Sequence, residues 1–247
     1  MHSDKTRHVD GDLKQQASQF KRFLAYRFQK GERYGLAFTL AILAILLALW
    51  IFLGIVDGVF DERELIAFDE RVQDQVTLVV TPEMARAFVF ITNLGGGRGT
   101  LIGVVLVGTL LLFSRRWWAL FGLILATGGS GILMNVLKLS FQRVRPLEQV
   151  VPATGYSFPS GHAMAATAFF GYVIYLAWHH IRNPVLRAFV IVISLLMIGL
   201  ICISRVILSV HWTTDVIGGF LAGFMWLMAT ILIIRLVERP PVPKQIP

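Results

Sequence analysis

Apolar residues run along this chain in long unbroken blocks rather than in the alternation of half-buried strands. Positions 34–56 contain no Lys, Arg, Asp or Glu, and a helix of that length crosses the ~30 Å hydrocarbon core of a bilayer. Further blocks lie near 99–114, 117–137, 161–179, 186–203 and 212–234, separated by short charged or Gly/Pro-containing joints. The pattern predicts an all-α bundle of six transmembrane helices. Its second span has the least definite start, because GGGRG at 95–99 interrupts it and a partial helix near 84–94 could also lie in the membrane, making an odd count possible.

Composition agrees with lipid as the main solvent: 55% of the 247 residues are hydrophobic and 15% charged, with a mean hydropathy of +0.67. The net charge of +8 could point to nucleic acid, but membrane topology accounts for it better. Residues 1–33 carry eight basic side chains, and Arg115, Arg116, Arg182, Arg187, Arg235, Arg239 and Lys244 fall on the same side if six spans alternate. Both termini are therefore expected in the cytoplasm. The connection 57–97, with eight acidic residues against Arg63, Arg71 and Arg86, is expected outside.

One domain suffices: a basic amphipathic segment at 1–33, a membrane domain at 34–235 that includes the external connection, and a tail at 236–247. Leu13, Ala17, Phe20, Leu24 and Phe28 share one helical face, as do Phe68, Val72, Val76 and Val79. Both stripes read as interfacial helices resting on headgroups, the second with a lid over the external face as the alternative. Cys202 is the single cysteine, so neither an internal disulfide nor a Cys cluster for zinc is expected, and the thiol reads as packing. The first apolar run follows a long polar stretch and is too long for a signal h-region, so it is expected to remain in the mature protein. Gly219 and Gly223 form a small-xxx-small pair that predicts close helix packing.

Five basic residues break the charge rule: Arg98, Lys138, Arg143, Arg145 and Arg205, the last four at external ends of the third and fifth spans. Any one alone would read as a snorkelling side chain, and Arg143 keeps that reading or contacts headgroups. Lys138, Arg145 and Arg205 together present three cations to one place, a set suited to the charged oxygens of a phosphoryl group. Pro159, Ser160, Gly161 and His162 precede the fourth span, where Ser160 can cap a helix and free N–H groups face an approaching anion. His211 and Asp215 are spaced i, i+4 at the start of the sixth span, so the carboxylate can hold one ring nitrogen and leave the other free to attack phosphorus.

The segments KLSFQRVRP at 138–146, PSGH at 159–162 and SRVILSVHWTTD at 204–215 resemble the signature of the type-2 phosphatidic acid phosphatases, KxxxxxxRP, PSGH and SRxxxxxHxxxD, at every specified position and in order. The resemblance is specific over about 138–215. It implies a membrane lipid phosphatase working without a cofactor or catalytic metal, similar to bacterial phosphatidylglycerophosphate and undecaprenyl diphosphate phosphatases. It makes His211 the nucleophile of a phosphohistidine intermediate, Asp215 its orienting partner and His162 the general acid. Lys138, Arg145, Ser160, Gly161 and Arg205 would bind phosphate, with Pro146, Pro159 and Ser204 in support, Ser204 through a hydrogen bond.

The expected substrate is a lipid mono- or diphosphate at the outer face of a bacterial inner membrane, and the expected partners are membrane lipids and no nucleic acid. A phosphotransferase passing phosphate from a polyprenyl diphosphate to a glycolipid such as lipid A would use the same residues. An anion or lipid transporter is the reading from another class, and the His211–Asp215 pair argues against it.

Overall fold

The computed structural model describes residues 36–60 and 63–238, and all its regular elements are helices. They are α1 (Leu36–Phe60), α2 (Arg63–Val79), α3 (Pro82–Gly95), α4 (Gly97–Phe113), α5 (Trp117–Phe141), α6 (Gly161–His180), α7 (Pro184–Ile207) and α8 (Thr213–Val237). The amphipathic stripe from Leu13 to Phe28 and the last nine residues lie outside the described ones. The chain divides into two units after Ala44. Of the first, only the opening turns of α1 are described; the second carries everything that follows.

Helices α1, α5, α7 and α8 are long and apolar enough to cross a membrane. The blurred second span is α3 followed by α4, two helices bent by 47° at Gly96 that together qualify as a fifth. The expected count of six is thus not reached by length and composition alone. The difference is α6, whose Gly, His, Thr and Tyr residues dilute its apolar content. It packs on α5, α7 and α8 and buries Ala163, Met164, Ala166, Thr167, Ala168, Phe169, Tyr172, Leu176 and Ala177. A helix surrounded by protein needs small, shape-matched side chains more than oily ones, because lipid supplies little apolar driving force between helices.

Local sequence sets the helix ends. Pro82 and Pro184 occupy first turns, where no N–H is missed, and Thr81 and Asn183 cap them, accepting from Met84 N at 3.3 Å and from Val185 N at 2.9 Å. Helix α5 stops at Gln142, which turns the chain through a left-handed conformation with φ 49°.

The joint that matters most is α8 against the start of α6. A Cβ on Gly219 would stand 2.5 Å from the Ser160 carbonyl oxygen, and one on Gly223 2.7 Å from that of Met164. The expected glycine pair therefore brings two backbones into contact, as small residues do between membrane helices. Phe158, fully buried, packs against Phe141 at 5.2 Å and Phe52 at 5.7 Å between ring centroids, and Gly218 leaves room for its ring. The following Phe158–Pro159 bond is cis. The close contacts at Gly218 and Gly219 set residues 158–160 against α8, one turn from Asp215.

Candidate active site

Three chain reversals meet at this end of the bundle: the loop after α5, the entry to α6 and the turn between α7 and α8. The α5 loop is held by Ser157 N donating to Arg143 O at 2.8 Å, Ser157 Oγ to Val144 O at 3.1 Å and Trp212 Nε1 to Val144 O at 3.0 Å. The entry to α6 is tied to α8 by Ser160 N donating to Asp215 O at 2.9 Å. The turn before α8 uses Ser209 at φ 54°, and its Oγ accepts from Gln73 Nε2 of α2 at 2.5 Å.

Lys138, Arg145, Gly161, His162, Arg205 and His211 line one cavity of about 770 Å³. It is also lined, from α3–α4 and α5, by Val89, Leu101, Val104, Gly128, Gly131 and Met134. Residues drawn from three separated motifs thus face a single space, whose wall continues along α3–α4 and α5 over apolar side chains and the hydroxyls of Thr100, Thr127 and Ser130.

His211 is 2% exposed. Its Nδ1 lies 3.4 Å from Asp215 Oδ2 and its Nε2 lies 3.2 Å from an Nη1 of Arg145. A guanidinium can only donate and a carboxylate only accept, so both contacts assign the same tautomer: Nδ1 carries the hydrogen and Nε2 presents its lone pair. Burial pushes the imidazole down to about 4, with Arg145 and Arg205 lowering it further while Asp215 partly restores it. His211 itself precedes α8, which starts at Thr213. The i, i+4 pairing with Asp215 holds although only the carboxylate is helical, because Asp215 Oδ2 also accepts from Trp212 N at 3.0 Å and closes the turn over the helix start.

The cations are held from behind. Arg145 donates through Nη1 to Val210 O at 2.5 Å, through Nε to Gly155 O at 2.9 Å and through Nη2 to Tyr156 O at 3.2 Å; Lys138 Nζ reaches Tyr156 O at 2.5 Å. Arg205, 5% exposed, donates to Thr92 Oγ1 at 2.7 Å, and its Nε has no partner among the described residues. Ser160 occupies the N-cap of α6 without making the expected cap bond: its Oγ is buried and has no partner among the described residues. Arg205 lines the cavity, whereas Ser160, fully buried, does not. His162 Nε2 stands 3.1 Å from where a Cβ on Gly96 would be, so the break between α3 and α4 leaves space for this ring.

Pro146 and Pro159 are buried and do not line the cavity. Ser204 departs from expectation: its hydroxyl donates to Ile201 O of its own helix at 2.6 Å, as membrane-helix serines do when no other acceptor is near.

The structure corrects the reading of Arg143 and adds residues that the sequence did not assign. Arg143 does not snorkel: it forks between Asp215 Oδ1 at 2.6 Å and Asp69 Oδ2 at 2.7 Å, with Trp212's ring beneath it. Helix α2 is amphipathic as its periodicity predicts, yet it buries Asp69 and Gln73 and exposes Phe68 and Val79. Asp69, Thr92 and Thr214 are thus site neighbours that the motifs omit. The available signal was the polar pair Asp69 and Gln73, itself spaced i, i+4.

The PAP2 superfamily's sequence profile matches residues 116–239. The chain belongs to the PAP2 superfamily. It is 31% identical to phosphatidylglycerophosphatase B of Bacillus subtilis over 72% of this chain and 89% of that one. With undecaprenyl-diphosphatase of Sulfolobus acidocaldarius it shares 25% identity over 81% of this chain and 93% of the relative.

The crystal structure of a transmembrane PAP2-type phosphatidylglycerolphosphate phosphatase from Bacillus subtilis superposes with a TM-score of 0.73 at 28% identity, covering 79% of this chain and 98% of that one. That of Aquifex aeolicus LpxE shares the fold more distantly, with a TM-score of 0.53 at 23% identity over 65% of this chain and 93% of the other. This PAP2 protein is an integral membrane enzyme that hydrolyses lipid phosphates, which sets the transporter reading aside.

Proposed function

We propose that this enzyme removes phosphate from a lipid mono- or diphosphate at the outer face of a bacterial inner membrane, through a phosphohistidine on His211. The observation that carries the mechanism is the hydrogen-bonding of His211: Nδ1–H faces Asp215, and the Nε2 lone pair, which accepts from Arg145, is the one turned to the phosphate-binding cations and would be released to phosphorus as Arg145 takes up a phosphoryl oxygen. Nε2 attacks phosphorus, the bond from phosphorus to the ester or bridging oxygen breaks, and His162 gives that oxygen its proton. The ring becomes cationic as it is phosphorylated, and Asp215 balances the charge across Nδ1–H. Neutral His162 then takes a proton from water as its oxygen attacks phosphorus, and phosphate leaves with His211 restored.

Lys138, Arg145, Arg205, the Ser160 hydroxyl and the backbone N–H groups at Gly161 would receive the phosphoryl oxygens. The apolar side chains of the cavity wall suit a lipid tail lying between α3–α4 and α5. With α6 counted as a sixth crossing, both termini would be cytoplasmic and the site outside, a topology that the excess of basic residues on the other face supports. Phosphatidylglycerophosphate and undecaprenyl diphosphate, the substrate classes in the relatives' names, are the first to try.

The test is phosphate release in detergent with EDTA present, across both classes, by the wild type and by His211→Ala. Turnover that survives His211→Ala in a folded protein would refute the mechanism. Label passing to a second lipid instead of water would make the enzyme a phosphotransferase.

A further inference from the structure

The profile match begins at residue 116, so α2 lies outside it, yet α2 reaches the centre of the site. Asp69 is 2% exposed, whereas Glu64, Glu70 and Asp74 of the same helix are exposed. Its Oδ1 accepts from Thr214 N at 3.0 Å, and its Oδ2 accepts from Arg143 Nη2 at 2.7 Å and from Thr214 Oγ1. Every one of these bonds ends beside Asp215. Arg143 Nη1 in turn donates to Asp215 Oδ1 at 2.6 Å and to Thr214 Oγ1 at 2.8 Å.

A buried carboxylate is a costly way to attach a helix, and α2 has apolar side chains for that purpose in Ile66, Phe68, Leu78 and Val79, all left exposed. We propose that Asp69 is a positioning residue of the reaction, holding Arg143 and Thr214 so that Asp215 keeps both its orientation and its negative charge for His211.

Asp215 has two oxygens and three partners. Arg143 occupies Oδ1, which leaves Oδ2 to Trp212 N and His211 Nδ1. Were Arg143 paired with Asp215 alone, it would neutralise the carboxylate just when the phosphorylated ring needs an anion. Shared between two carboxylates, the guanidinium fixes Oδ1 in place while the group of three keeps a net negative charge. Gln73, one turn along α2, bonds Ser209 and so holds the same helix to the turn that carries His211.

The inference rests on His211 being the nucleophile, and the experiment separates the two. Wild type, His211→Ala, Asp69→Asn, Arg143→Gln and the Asp69→Asn/Arg143→Gln double variant are assayed for kcat and KM on one lipid phosphate, with the melting temperature of each. Asp69→Asn is expected to lower kcat about ten- to a hundredfold with KM within about threefold, because ground-state phosphate contacts are untouched. The double variant is expected to lose no more than the worse single one, since both act through Asp215.

An Asp69→Asn protein with kcat within about threefold of wild type, or single losses that multiply in the double variant, overturns the inference while an inactive His211→Ala leaves the mechanism standing. Activity remaining in His211→Ala overturns both. Should Asp69→Asn not fold, Arg143→Lys keeps the charge but loses the fork. The same kcat-selective loss is then expected, and an unchanged kcat refutes the idea.

Discussion

Gly219→Ala places one methyl group where α8 meets the entry to α6, and its effect can be worked out from contacts. The new carbon would lie 2.5 Å from Ser160 O and 3.1 Å from both Ser160 N and Ala163 Cβ. Ordinary contact begins near 3.4 Å, so the two backbones must part by up to about 1 Å. Ser160 O cannot swing aside, because it accepts the first helical bond of α6 from Met164 N at 3.0 Å.

Overpacking of this kind costs about 1–3 kcal/mol, against a gain of up to about 1 kcal/mol for replacing a helical glycine by alanine. The larger consequence is catalytic. Ser160 and His162 ride on α6 while Asp215 rides on α8, and a misplacement of about 1 Å between reacting groups can cost about a hundredfold in rate. Gly199→Ala in α7 is the control, since nothing lies within 4 Å of its Cβ position. Melting temperature and phosphate release for both variants test this: Gly219→Ala should lose kcat and some stability, Gly199→Ala neither. A Gly219→Ala enzyme as active and as stable as wild type would show that the helix joint does not set the site's geometry.

His211, held near 4 in the folded protein against 6.5 when free, should remain an active neutral nucleophile well below pH 6. The acid limb of kcat/KM assigned to it should then lie near pH 4; a limb near 6.5 that persists across substrates of different phosphate ionisation would contradict its burial. The unfolded chain binds a proton that the folded one refuses between those values, so stability should fall as pH drops through that window and level off below it, as denaturant melts at several pH values would show. Thr92→Val removes the side-chain partner of Arg205 Nη1 and should lower kcat/KM by roughly tenfold, whereas Thr92→Ser should stay near wild type; equal activity of the two would mean Arg205 needs no support from α3. Orthovanadate, a phosphate mimic, should inhibit competitively with the lipid, and inhibition unaffected by substrate concentration would place it elsewhere.

Much of the site was legible because its chemistry is local. The pairing of His211 with Asp215 follows from a spacing of four, and the glycine pair at 219 and 223 foretold a backbone contact that the fold then used. The bend at Gly96 was visible only as an interruption. What stayed hidden depends on partners far along the chain: nothing near Arg143 announces that its counter-charges are Asp69, on another helix, and Asp215, beyond two more. The polar face of α2 went unread for a related reason. Periodicity identifies a helix with two unlike faces, but next to lipid the apolar face can point outward and the polar face can be the packed one. Ser204 shows the converse limit, since a motif position does not say where a hydroxyl will turn.

The same geometry explains the basic residues that the sequence left without an acidic partner. Four of them, Lys138, Arg143, Arg145 and Arg205, sit at one end of the bundle, yet they divide in two. Arg143 is paired inside the protein with Asp69 and Asp215. The other three form no ion pair among the described residues, are held only by carbonyls, a threonine hydroxyl and the neutral His211, and line the cavity. A cation bound by neutral dipoles keeps its charge available, and three of them around one space favour an anion there over any neutral molecule. If the carboxylate of Asp69 or Asp215 turned into the cavity, it would compete with substrate for that field. Arg143 holds both away from it, so a cation that never touches phosphate helps keep the other three free to do so.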